Sequence, residues 1–67
     1  MAGLDPKKLR ELRERQVLTQ AELAALAGVR PATVADIESG KRRARPSTIR
    51  RLAKALRVKP QDLIGGL

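Results

Sequence analysis

Residues 18–41 read LTQAELAALAGVRPATVADIESGK, and their punctuation decides the fold. Thr19-Gln20-Ala21-Glu22 is a capping box, in which the Thr19 hydroxyl accepts from the Glu22 N–H and the Glu22 carboxylate accepts from the Thr19 N–H. Leu18 before the cap and Leu23 four residues into the helix form a hydrophobic staple. A short, Ala-rich helix is expected over about Gln20–Ala27. Gly28 stops it, because glycine takes the left-handed conformation at little cost. Pro31 marks the next first helical position, and that helix runs to about Ser39 with Val34 and Ile37 inward before Gly40 closes it. Two short helices joined by a glycine-containing turn of three or four residues make a helix-turn-helix.

The flanks extend the helical pattern. Asp5-Pro6 is a start signal for a helix to about Arg15, with Leu9 and Leu12 inward and Glu11–Arg15 as an i,i+4 pair. After Gly40, Lys41-Arg42-Arg43-Ala44-Arg45-Pro46 is a basic loop, since proline disfavours helix at the residue before it. Ser47 is expected to cap a fourth helix over about Thr48–Arg57, where Ile49, Leu52, Ala53 and Leu56 form one apolar stripe. Pro60 starts a last short turn through Ile64, with Leu63 or Ile64 packing back. No strand-like alternation appears. The expectation is an all-α single domain over residues 1–67, with a core of about residues 5–64 and a fraying tail of residues 65–67.

Composition narrows the chemistry. The 67 residues include 28 apolar ones, but ten are Ala and none is aromatic, so the core must be small. Without Cys or His, thiolate and imidazole metal sites, disulfides and the usual nucleophile–base pairs are unavailable. No metal or cofactor is expected. No apolar run approaches a membrane span and no signal-type apolar core follows the N-terminus, so a cytoplasmic, nucleoid-associated protein is expected. The charge of +8 is unevenly placed. Residues 1–40 hold six bases and six acids, whereas residues 41–67 hold nine bases and one acid, Asp62. Such asymmetry points to a polyanion contact on one side.

At this point the spaced positions Leu18–Ala24, Ala27-Gly28-Val29 and Thr33–Lys41, with Leu52–Val58 and Asp62-Leu63, resemble the Xre-like family of phage repressors and Cro. The resemblance spans about residues 7–64. It implies a compact five-helix bundle of the lambda-repressor-like type, whose third helix enters the DNA major groove while the second crosses the backbone. It also implies a structural ion pair between Arg13 and Glu38, tying the first helix to the end of the third. Three departures stand out: Val17 lies where such proteins often place Gly, Arg30 stands at a position that often holds a Ser or Thr cap, and the basic loop is a residue longer than in some phage repressors.

The candidate DNA-binding residues follow from the residues and the resemblance together. In the family, the position of Gln20 donates to a phosphate from the start of the second helix; Thr19 lies beside it, at a free helix N-terminus that favours anions. A plain polar first-turn residue is the other reading of Gln20. Base readout is assigned to Arg30, Pro31, Ala32, Thr33 and Asp36. Arg30 reaches a phosphate or a guanine edge, Ala32 and the Thr33 methyl suit thymine methyls, and Asp36 accepts from cytosine or repels phosphate. Pro31 has no side-chain hydrogen bond to offer, so these readers are mostly small and specificity is shared with DNA shape. Lys41, Arg42, Arg43 and Arg45 form the phosphate clamp, with Arg45 also a candidate for the minor groove. Arg50, Lys54 and Arg57 are read as a solvated face.

The leading functional expectation is a sequence-specific double-stranded DNA-binding regulator, a repressor acting as a homodimer on a palindromic operator. The dimer surface is placed at Val58–Leu67, where apolar residues have little core left to cover. The alternative is an antitoxin-like or coordinating subunit that also holds a partner protein. A non-specific nucleic-acid coating protein is a third reading, against which the lack of stacking aromatics counts. An enzyme is not expected, since no acid–base pair is evident.

Overall fold

The computed structural model describes residues 3–65. Four α-helices follow one another: α1 (Pro6–Arg15), α2 (Gln20–Ala27), α3 (Pro31–Ser39) and α4 (Pro46–Leu56). The fifth expected helix is a single 3₁₀ turn, Pro60–Leu63, too short to give an α-helical hydrogen-bond ladder. The fold is thus all-helical apart from one isolated antiparallel bridge, Leu4 with Ile64.

Local chemistry accounts for each start. The Asp5 carboxylate accepts from the Lys7 N–H at 2.9 Å. At α2 the reciprocal box is closed, with Glu22 N–H to Thr19 Oγ1 at 3.0 Å and Thr19 N–H to Glu22 Oε1 at 2.8 Å. The hydrogen bond from the Thr19 backbone also holds the exposed Glu22 carboxyl below its ordinary pKa. Neither Arg30 before α3 nor Arg45 before α4 caps with its side chain. Ser47 does not cap α4. Pro46 is already helical because its fixed φ suits the first position, so the boundary falls at Arg45 and Ser47 sits within the first turn.

All four helices end alike. The residue after each terminus is left-handed or leads into a left-handed one: Val17 (φ 55°), Gly28 (φ 70°), Gly40 (φ 82°) and Arg57 (φ 59°). At α1, Val17 N–H reaches Glu14 O at 3.0 Å and Leu18 N–H reaches Arg13 O at 3.1 Å, the paired bonds of a Schellman turn. The turn at Val17 therefore keeps the geometry that glycine usually supplies, on a β-branched residue.

Eleven apolar side chains form the core, among them Leu9, Leu23, Val34, Ile37, Leu52, Leu56 and Leu63. This core is wholly apolar among the described residues. α2 is the hub, packing on both α3 and α4; α3 also packs on α1, and α4 on the 3₁₀ turn. This leaves the outer side of α3 uncovered. The exposed ion pair on α1 is Arg10–Glu14 at 3.3 Å rather than Glu11–Arg15; pairs of this kind contribute little.

The chain ends depart from expectation. Asp5 N–H donates to Leu63 O at 2.8 Å, Gly65 N–H to Gly3 O at 2.9 Å, and Lys8 Nζ to Ile64 O at 3.0 Å. Gly65 is thus tied down, not frayed, while Gly66 and Leu67 lie outside the described residues. The reason for placing a dimer surface over Val58–Leu67 also weakens. Leu63 is fully buried, and Val58 and Ile64 pack against the core, so these three apolar residues serve their own domain.

Candidate nucleic-acid interface

The orientation of α3 rests on one polar junction. Arg13 grips Glu38 through two parallel bonds, Nε to Oε2 at 2.7 Å and Nη2 to Oε1 at 2.9 Å, while Nη1 donates to Leu18 O at 2.8 Å. The two side chains are only 12% and 5% exposed. Burial pushes the Glu38 carboxyl up, but the hydrogen bonds from Arg13 and Gln20 and the guanidinium charge outweigh it, leaving the pKa below its ordinary value. The bond to Glu38 raises the Arg13 pKa. This charge-assisted fork joins α1 to the C-terminal end of α3, and Arg13 also bonds the carbonyl just before α2.

Gln20 belongs to the same junction, which the sequence does not announce. Its Nε2 donates to Glu38 Oε1 at 3.1 Å. A carboxamide carries two N–H donors, so one remains for a second acceptor at the α2 N-terminus. Thr19, beside it, is exposed and already accepts the capping bond.

Beyond α3 the chain turns sharply back. The Asp36 carbonyl accepts from Lys41 N–H at 2.9 Å, Arg42 N–H at 3.2 Å and the Ser39 hydroxyl at 3.1 Å. Half-buried Ala44 packs against the core and anchors the middle of the basic loop. Lys41, Arg42, Arg43 and Arg45 are left exposed around that anchor.

A groove results between the start of α3 and the loop. One wall carries Arg30, Ala32 and Thr33; the other carries Arg42, Arg43 and Arg45. No carboxylate lines it. The walls are linked, because Arg42 Nη1 donates to Thr33 Oγ1 at 3.3 Å. Exposed Pro31 and half-buried Asp36 lie on α3 outside the groove lining, as does Lys41 on the loop. The sequence does not announce the Arg42–Thr33 contact, since a spacing of nine residues does not reveal how far the loop folds back. Among the described residues no group of side chains is arranged to hold a metal ion, and no helix is long and apolar enough to cross a membrane.

A capped α2, a left-handed glycine turn and an α3 open on its outer side define a helix-turn-helix unit. The chain belongs to the helix-turn-helix family, whose model matches residues 9–63. It is 42% identical over 59 residues to the HTH-type transcriptional repressor RghR of Bacillus subtilis (strain 168), covering 87% of this chain and 44% of that protein. The chain thus spans under half the length of the curated relatives it matches. Among solved structures, the restriction-modification controller protein C.AhdI from Aeromonas hydrophila superposes with a TM-score of 0.85 at 38% identity, covering 87% of this chain and 88% of that one. The P22 c2 repressor, crystallised with synthetic operator 9T, shares the fold with a TM-score of 0.84 at 24% identity, covering 92% of this chain and 94% of that one.

Proposed function

We propose that this chain is a sequence-specific double-stranded DNA-binding transcriptional regulator, a repressor that acts as a homodimer on a palindromic operator. The observation that carries the reading is the acid-free groove where the outer side of α3 meets Arg42, Arg43 and Arg45. Its two walls suit two tasks. α3, about 10–12 Å across, fits the roughly 12 Å major groove of B-DNA. Arg30, Pro31, Ala32, Thr33 and Asp36 then face base edges or the adjoining phosphates, and the loop bases hold the sugar-phosphate backbone.

Thr19 and Gln20 are assigned to a second phosphate, on the strand crossed by the start of α2. Because Gln20 also bonds Glu38, that phosphate contact and the setting of α3 share one residue. The names of the similar regulators and the operator complex of P22 c2 repressor support the reading. Two-fold symmetry would place two copies of α3 one helical turn apart on the duplex. No enzymatic step is assigned, and the protein would reside with the chromosome in the cytoplasm.

Selection from random duplex DNA at fixed salt tests this reading. The expected product is a short palindrome with a consensus in each half. Recovery of sequences without a consensus would overturn it in favour of non-specific coating.

A further inference from the structure

Arg51, Lys54 and Arg57 have no part in the interface above. They line a second groove, between the C-terminal half of α2 and α4, which shares no lining residue with the first. Its apolar lining is Leu18, Ala25, Leu26, Ala27 and Ala55. Leu26 is 62% exposed, one of two large apolar side chains left in solvent among the described residues. A lone exposed leucine is ordinary. This one stands in a groove with partly buried Leu18 and Ala55, and with three cations. No carboxylate lines the groove, and α4 carries none along its length. One cation is fixed in place: Arg51 Nη1 donates to Gly28 O at 3.3 Å, across the end of α2.

We propose that this groove docks an amphipathic, acidic helix of another protein, with apolar side chains against Leu26 and carboxylates toward Arg51, Lys54 and Arg57. Charge complementarity selects the occupant. A second copy of this chain carries the same net +8 and would meet the groove with like charge. A DNA backbone would use the cations but set Leu26 against phosphate, where its apolar surface gains nothing. An amphipathic helix uses both features, with apolar anchors in a groove and opposite charge at the rim. Docking there uses none of the residues that line the α3–loop groove. The inference stands apart from DNA binding and is tested without DNA.

The probe is a synthetic helical Leu/Glu peptide, with its Leu/Lys counterpart as control, titrated into the ¹⁵N-labelled chain near physiological salt. The Leu/Glu peptide is expected to bind saturably and to shift the amides of Ala25–Gly28 and Arg51–Arg57. Leu26→Ser, and separately Lys54→Gln with Arg57→Gln, should each weaken that binding about tenfold or more, as anchors of such grooves do. All three positions are exposed, so the variants should keep the fold; Arg43→Ala should leave peptide affinity nearly unchanged. Three results would overturn the proposal: no saturable binding, equal affinity for the Leu26→Ser variant, or shifts centred on Lys41–Arg45. It also fails if the Lys54→Gln, Arg57→Gln variant keeps full peptide affinity, which would leave these cations no part in docking.

Discussion

Val17 holds a left-handed backbone, φ 55°, with its side chain 86% exposed. For a β-branched residue that conformation costs roughly 1–2 kcal/mol, and so little packing cannot offset it. Glycine would remove the strain but lose about 0.5–1 kcal/mol through its freer unfolded chain. Val17→Gly is therefore expected to stabilise the domain by up to about 1 kcal/mol, raising Tm by a few degrees; thermal unfolding that shows a lower Tm would refute the strain. Glu38 offers a second residue-level test. Its folded pKa lies below the unfolded value of about 4.3, so its contribution is full above that pH and is lost as pH falls through the folded pKa. Wild-type stability should drop on acidification below about pH 4.3, and Glu38→Gln should flatten that part of the profile. At neutral pH, Glu38→Ala strands the buried Arg13 guanidinium and should cost roughly 3–5 kcal/mol by denaturant unfolding. Legibility at this scale was uneven. Gly28 and Gly40 announce two left-handed ends, but no residue type announces Arg57, because its conformation is imposed by the packing of α4 and the turn behind it.

Helix α3 carries two carboxylates and no base, while the loop after it carries four bases. The division predicts different behaviour for substitutions in the two elements. Arg43→Ala should weaken binding about equally on all duplexes and reduce the salt slope by about 0.9, measured by anisotropy over a salt series. A slope unchanged within error would remove Arg43 from the clamp. The boundaries of α1, α2 and α3 could be read from Asp5-Pro6, the Thr19–Glu22 box, Pro31 and the two glycines, since caps are local chemistry. The start of α4 could not, because Ser47 is a good capping residue and only the fixed φ of Pro46 overrides it. The last helix was overestimated for a related reason: Pro60 signals a start, but Ile64 is drawn into a bridge with Leu4 that ends it. The site was legible as residue types and not as geometry. Gln20 turning to Glu38, and Arg42 to Thr33, depend on how α2, α3 and the loop meet.

Across the whole molecule, closure of the chain ends replaces a large core. The Leu4–Ile64 bridge and the bonds from Asp5, Lys8 and Gly65 hold the C-terminal segment on α1, with fully buried Leu63 beneath. Leu63→Ala should cost roughly 2–5 kcal/mol, most of what a domain this small possesses, and leave it largely unfolded at 25 °C by circular dichroism. A folded, cooperative variant would show that the terminal clasp is dispensable. The packing of the helices gives the +8 charge its direction. α1 and α2 hold α3 from within, the loop bases gather beside its outer face, and the α4 bases rim a separate groove. Under the proposed function this arrangement reads duplex sequence and does more than attract a polyanion. The most direct measurement is the ratio of affinities for a selected palindrome and a scrambled duplex of the same length and salt. A ratio of roughly 10³ or more is predicted for the wild-type chain; a ratio near one would contradict the account.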